Sequence, residues 1–92
     1  MKVYIAGAIS KNLYHYQEEF SNAEQWLLGQ GYEVINPAKN QGYSYKDYID
    51  TGLFELMHCE AIYMLKGYEK SKGALLEIHY AIATDMKILY QR

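Results

Sequence analysis

The stretch of this chain best suited to chemistry places a hydroxyl, a glycine and a carboxylate at the start of a predicted helix. Ser71 and Gly73 follow an apolar, strand-like run and a short loop, and Glu77 comes about one and a half turns after Ser71. The first backbone N–H groups of a helix lack partners within the helix and bind anions readily. This spacing predicts a nucleotide site, with Ser71 and Gly73 near a phosphate and Glu77 near the sugar.

A second segment that could serve the same ligand lies at the start of the chain. An apolar run at residues 3–6 is followed by a turn of mostly small residues, namely Gly7, Ala8, Ile9 and Ser10. Many turns after strands look like this, so the segment indicates a phosphate contact only in combination with the Glu77 segment. Tyr4 lies within the run, and we expect its ring in the core with its hydroxyl within reach of the pocket.

Each of these residues also has an ordinary structural explanation. A helix glutamate is usually solvated, Ser71 can cap its helix, and Gly73 can simply be tolerated near a helix end. For Glu77 a functional role is favoured, because the residues on its stripe of the helix are small and leave space in front of the carboxylate. Those residues are Ala74, Ala81 and Thr84. The apolar stripe of the same helix is predicted at Leu75, Ile78 and Ile82.

The remaining reactive side chains give no pattern typical of a metal or cofactor site. The three histidines, His15, His58 and His79, are far apart in sequence. Their spacing is unlike that of metal ligands, so we expect neither a metal nor a cofactor. The single cysteine, Cys59, cannot form an internal disulfide.

Composition limits the class of protein. The 92 residues form one domain, 1–92, with a net charge of −2 and no basic cluster, so we expect no nucleic-acid partner. The longest apolar run is far shorter than a membrane span, and the N-terminus lacks the apolar core of a signal peptide. We therefore expect a cytoplasmic protein that does not contact membranes.

Small size and the tyrosine content point to self-association. A chain of 92 residues is near the lower end of what folds alone, and 11 of its residues are tyrosines. Tyrosine offers a large apolar ring with a polar tip, which suits interfaces and ligand pockets alike. We expect a homodimer or a higher homo-oligomer.

The elements that must position these residues alternate regularly along the chain. Apolar runs predict strands at 2–6, 33–35, 61–65 and 87–90, and helical periodicity predicts helices at about 13–28, after a capping box at 44–47, and at 72–85. The order β-α-β-α-β-α-β predicts a four-stranded parallel sheet with helices on both faces and strand order 2-1-3-4. Ligands bind such sheets beyond the carboxyl ends of the strands, where the two segments described above lie.

Four segments together resemble the nucleoside 2-deoxyribosyltransferase-like superfamily, and within it the small domains of unknown function that are common in phages and bacteria. They are residues 1–7 (MKVYIAG), 31–38 (GYEVINPA), 59–65 (CEAIYML) and 71–74 (SKGA) with Glu77. The resemblance covers nearly the whole chain. It implies a flavodoxin-like or Rossmann-like three-layer domain that forms homo-oligomers in the cytoplasm, or in the host cytoplasm for a phage protein.

The resemblance also implies an activity and residue roles. Characterised members of the superfamily cleave or transfer the N-glycosidic bond of deoxynucleosides or their monophosphates. By this resemblance Glu77 attacks the sugar C1′, Tyr4 lines the sugar site, Ser71 binds the 5′-phosphate, and the turn from Gly7 to Ser10 also contacts phosphate.

One position departs from the superfamily pattern. Characterised members carry an assisting aspartate on the second helix, and by spacing that position is Gly52 here. Protonation of the leaving base would then depend on another acid, for which the candidates are Asp50, Glu55 and Glu60. The departure leaves two functions open: an N-glycosidase with Glu77 as nucleophile, or a non-catalytic protein that sequesters a nucleotide, such as an NAD-derived or cyclic nucleotide signal. A third, structural module with a vestigial pocket is the least favoured.

Overall fold

A computed structural model describes residues 1–9, 16–39, 42 and 44–92 of the chain. Apolar, β-branched and aromatic runs form four strands: β1 (Lys2–Ala6), β2 (Glu33–Ile35), β3 (Ala61–Met64) and β4 (Lys87–Tyr90). The amphipathic segments between them form three helices: α1 (Tyr16–Gly29), α2 (Tyr45–Met57) and α3 (Lys72–Ala83).

The sheet is parallel throughout, in the order β2-β1-β3-β4. This confirms the predicted α/β class, strand order and number of helices. β1 is central, with Tyr4 opposite Ile35 of β2 and Ile62 of β3. β2 is added on one side of β1, and β3 is added on the other side, so the order of the strands reverses at this point. The carboxyl ends of β1 and β3 therefore open onto a crevice.

Alternating residues of the strands divide the core into two layers. Val3 and Ile5 pack on the α1 side with Phe20, Ala23 and Leu27. Tyr4, on the opposite face of the same strand, joins a second cluster that holds Leu56 of α2 and Ile78 and Ala81 of α3. Because side chains alternate along a strand, Tyr4 is directed to the side on which Glu77 lies.

Three predictions about the elements need correction. Tyr68–Lys70, within the loop predicted before Ser71, forms a short 3-10 helix, as does Pro37–Lys39 after β2. The third helix ends at Ala83 rather than at residue 85. Its predicted apolar stripe is wrong in part, since Ile82 is 56% exposed and the buried residues are Ala74, Glu77, Ile78 and Ala81.

Candidate functional site

A cavity of about 340 Å³ opens beyond the carboxyl end of β1, between the first turns of α2 and α3. Its volume falls within the ~300–1,000 Å³ typical of small-molecule sites. Six of the predicted site residues line the cavity: Tyr4, Gly7, Ile9, Ser71, Gly73 and Glu77. The two segments singled out in the sequence therefore meet at one site, as the topology predicts.

Glu77 and Tyr4 form a buried hydrogen bond at this cavity. The Tyr4 hydroxyl donates to Oε2 of Glu77 at 2.7 Å, an ordinary length for such a bond. Glu77 is 8% exposed and Tyr4 is 1% exposed. Glu77 is therefore not the solvated helix residue that composition alone favours. The small neighbours Ala74 and Ala81, both buried, let α3 lie close to the sheet at this point.

The electrostatics of the pair oppose ionisation of the carboxyl group. Burial raises the pKa of Glu77 to about 7, the hydrogen bond from Tyr4 lowers it, and the charge of Glu55 raises it. Burial, followed by the charge of Glu77, raises the pKa of Tyr4 far above its usual value. Tyr4 therefore stays protonated and remains a donor, while Glu77 is poised between its acid and its carboxylate near neutral pH.

Gly52 of α2 packs directly behind the pair. A Cβ atom at this position would lie 2.7 Å from Glu77 Oε2 and 2.7 Å from the Tyr4 hydroxyl oxygen. Gly52, the position that the resemblance pairs with an assisting aspartate, thus does face Glu77. A side chain there has no room, because the Tyr4 hydroxyl takes up the space.

The start of α3 is built as the sequence predicts. Ser71 is the N-cap residue, and its Oγ accepts a hydrogen bond from the backbone N–H of Ala74 at 3.2 Å. The hydroxyl proton remains available to a ligand, since the capping bond uses only a lone pair of the oxygen. Gly73 has a packing role as well, because a Cβ there would lie 2.7 Å from Cδ1 of Ile49 in α2.

The turn after β1 contributes less than the resemblance implies. Gly7 and Ile9 line the cavity, whereas Ala8 is half-buried and is not part of the wall. A Cβ at Gly7 would lie 2.9 Å from Cδ1 of Leu65, so this glycine permits close packing against the end of β3. Ser10, the fourth residue predicted here, lies outside the described residues.

The three candidate acids for the leaving base differ in position. Asp50 is exposed and accepts a hydrogen bond from Lys46 on the surface of α2. Glu60 accepts a hydrogen bond from the backbone N–H of Lys2, at the amino end of β1 and therefore at the opposite edge of the sheet. Glu55 is half-buried on α2, and its charge acts on both Tyr4 and Glu77. Glu55 is therefore the one of the three whose charge acts on the pair.

Most of the aromatic residues that line the cavity are not among the predicted site residues. Tyr16 at the start of α1 and Tyr45 and Tyr48 in the first turn of α2 line the cavity, together with Pro37 and Ile49. The signal was present in the excess of tyrosine and in the position of Tyr45 and Tyr48 just after a loop that follows a strand. The helical pattern alone does not show it, because Tyr45 lies four residues before Ile49 and so falls on the same face of α2 as a residue of the core would.

The described parts of the chain contain neither a cluster of metal ligands nor a membrane-spanning helix. No group of three or more His, Cys, Asp and Glu side chains is arranged to hold a metal ion among these residues. None of the described helices has both the length and the apolar character needed to cross a lipid bilayer.

The fold and the site define a small Rossmann-like α/β domain with a tyrosine-lined cavity at the topological switch point. Comparison with known families places it further: residues 1–90 match the family described as a domain of unknown function, DUF4406, and the chain belongs to that family. No curated protein matches the chain.

Proposed function

We propose that this protein is an N-glycosidase that acts on a nucleoside or a nucleoside monophosphate, with Glu77 as nucleophile. The observation that carries the proposal is the Glu77–Tyr4 pair: a buried carboxylate, oriented by one hydrogen bond, at the wall of a cavity of ligand size. Glycosidases use carboxylates of this kind to attack the anomeric carbon.

In the proposed reaction the sugar lies over Glu77 and the tyrosine rings flank the base. Because Tyr4 holds Oε2, the other oxygen, Oε1, forms the bond to C1′ while the bond from C1′ to the base nitrogen breaks. The electron pair of the broken bond leaves with the base, which takes up a proton. Water then adds to C1′, the ester bond to Glu77 breaks with its electron pair returning to the carboxylate, and the free sugar departs with one proton of the water lost to solvent.

A phosphate on the substrate would be bound at the start of α3. Ser71 and Gly73 both line the cavity, and the N–H groups of Lys72 and Gly73, the first two residues of α3, have no partner within the helix. The positive end of the helix dipole favours an anion at this position. A nucleoside monophosphate would thus span the cavity from Ser71 to Glu77.

A second candidate is a protein that binds a nucleotide without cleaving it. Gly52 favours it, because the position on α2 that faces Glu77 offers no second acid. A Glu77 that is partly protonated near neutral pH can donate to and accept from sugar hydroxyls. In this case the protein would sequester its ligand, for example an NAD-derived or cyclic nucleotide.

One experiment separates the two candidates. Release of free base is measured for a panel of deoxynucleotides, ribonucleotides, nucleosides and NAD-derived nucleotides, and calorimetry is run on the same panel. For an N-glycosidase we expect Glu77→Gln to bind substrate almost normally and to lose base release by ~10³-fold or more, because the nucleophile acts only on the reaction path. For a binding protein we expect tight binding without product, weakened by about 1.5–3 kcal/mol in Glu77→Ala.

The matched control is Glu60→Gln, a carboxylate at the opposite edge of the sheet. It should leave base release and binding unchanged. Base release that persists in Glu77→Gln would reject Glu77 as the nucleophile. An absence of both release and binding across the whole panel would reject both candidates.

A further inference from the structure

We propose that Gly52 is a positioning residue for the Tyr4–Glu77 pair: the bare α2 backbone at this point permits the tyrosine hydroxyl and the carboxylate to meet. The would-be Cβ is 2.7 Å from each of the two bonded oxygens. Those oxygens are themselves 2.7 Å apart, so the three points form a tight triangle. Real Cβ atoms do not come so close to a buried neighbour, so any side chain at residue 52 must increase its distance from both oxygens.

The backbone itself gives no reason for a glycine at this position. Gly52 lies in the interior of α2 and is not among the glycines with positive φ, which are Gly31, Gly42 and Gly67. In a helix interior glycine is less favourable than alanine, since it loses more freedom on folding and packs nothing. The contact with Tyr4 and Glu77 is the feature that opposes a larger residue here.

Of the two partners, Glu77 can move readily and Tyr4 cannot, so relief of the contact with the Tyr4 hydroxyl requires a shift of α2 as well. The Tyr4 ring is fully buried between strands and helices and has its register fixed by β1. The Glu77 carboxylate is at the end of a flexible side chain next to a cavity, so its Oε2 can move away from its present position. The hydrogen bond from Tyr4, which lowers the pKa of Glu77, would then be lost.

The test compares Gly52→Ala in two backgrounds. In the wild-type background we expect the melting temperature to fall by about 8 °C or more, and the titration midpoint of Glu77 to rise by about one pH unit. In the Tyr4→Phe background, where the obstructing hydroxyl is gone, the same substitution should cost less than half as much in melting temperature. The Glu77 midpoint should there equal that of Tyr4→Phe alone. The midpoint is read from the ¹³C carboxyl signal that Glu77→Gln removes.

The matched control is Gly29→Ala, at the end of α1, where an added Cβ meets nothing within 4 Å. It should leave both readouts unchanged or raise the melting temperature slightly. A Gly52→Ala protein that melts like the control would overturn the inference. So would an equal loss in both backgrounds, because the obstruction would then not be the pair.

The role of Gly52 can still be tested if the Gly52→Ala protein fails to fold. If Gly52→Ala fails to fold and the double variant folds, the inference stands; if neither folds while Tyr4→Phe does, it is rejected. The pair is the one used by the proposed function, but none of these readouts requires base release. A protein without N-glycosidase activity could therefore still confirm the role of Gly52.

Discussion

A buried carboxylate can act as a nucleophile only while it is ionised, and at Glu77 burial works against the ionised form. The Tyr4 hydroxyl partly offsets this by donating to Oε2. Burial still prevails, and the pKa of Glu77 is about 7. Its protonation state near neutral pH is therefore sensitive to anything that alters the pair, including a bound ligand.

The stability of the protein should depend on pH through Glu77. The pKa in the folded state, about 7, is above the ordinary value of 4.5, so the folded protein binds the proton more tightly than the unfolded chain does. The stability associated with this proton is fully present below pH 4.5, falls as the pH rises towards 7, and is lost above that. At about 1.4 kcal/mol per pH unit, the total change is about 3 kcal/mol.

The measurement is the free energy of unfolding in urea between pH 4.5 and 8.5, for wild type and Glu77→Gln. Glutamine keeps the shape and the acceptor for Tyr4 but carries no charge. We expect the glutamine variant to be more stable than wild type at pH 8.5 and close to it at pH 4.5. A difference between the two proteins that does not vary with pH would contradict the assigned pKa.

How far the sequence predicts the site becomes clear from individual residues. The spacing of Ser71, Gly73 and Glu77 predicts one pocket, the position of Tyr4 on β1 puts its hydroxyl within reach of it, and all four residues line the same cavity. The hydrogen bond between Tyr4 and Glu77 joins residues 73 positions apart, and a local pattern cannot show such a contact. Gly52 is conspicuous in the sequence as a glycine within a helix, but its reason lies in two residues from other elements.

At the scale of elements, strands and helix starts are predicted well because their signals are local. The bounds of β1, β2 and β4 match the prediction, and Ser44 and Ser71 are both N-cap residues. Hydrophobicity predicts the buried face of α3 only in part, because Ile82 is 56% exposed. Small size decided instead: Ala74 and Ala81 allow close approach to the sheet and bury Glu77 with them, while Ile82 turns outward.

The two N-cap serines allow the proposed phosphate contact to be separated from helix capping. Ser71 and Ser44 each accept a backbone N–H at 3.2 Å, but only Ser71 lines the cavity. Each serine-to-alanine change should cost about 1 kcal/mol of stability through the lost cap. Only Ser71→Ala should also weaken a nucleoside monophosphate, by about 1–2 kcal/mol, while the matching nucleoside loses little.

Calorimetry with the nucleoside and its monophosphate, on both variants and wild type, checks this prediction. Equal losses for both ligands in Ser71→Ala would place the phosphate elsewhere. A similar loss in Ser44→Ala would show that the effect passes through helix stability rather than through the hydroxyl.

At the scale of the whole molecule, the accessible surface has an ordinary area, but it includes several large apolar side chains. The area is 5830 Å², close to the roughly 5,500 Å² expected for a monomeric protein of this mass. Yet several large apolar side chains are exposed, including Trp26 at 54% and Phe54 at 64%. Compactness therefore does not require a partner, and the case for self-association depends on where the apolar surface lies.

The surface best suited to a second copy lies on the α1 side of the sheet, near β4. α1 and the short 3-10 helix Pro37–Lys39 pack on this face, and α1 lies over β1 and β2. Trp26 stacks on Tyr63 with ring centroids 5.8 Å apart, and Tyr63 lines a groove shared with Leu89 and Tyr90 of β4. β4 is also an edge strand, whose outer backbone groups are open to pairing with another chain.

We therefore predict a homodimer whose contact includes this aromatic groove, with at least roughly 1,000 Å² buried in total. Sedimentation equilibrium should show the dimer in wild type, and Trp26→Lys should weaken it by at least ~10-fold, because a lysine both removes the stacked ring and adds a charge. Phe54→Lys, an equally exposed aromatic on α2, is the control and should leave the dimer intact. A wild-type monomer at high concentration would contradict self-association, whereas a dimer broken by Phe54→Lys alone would move the contact to α2, on the opposite face of the sheet.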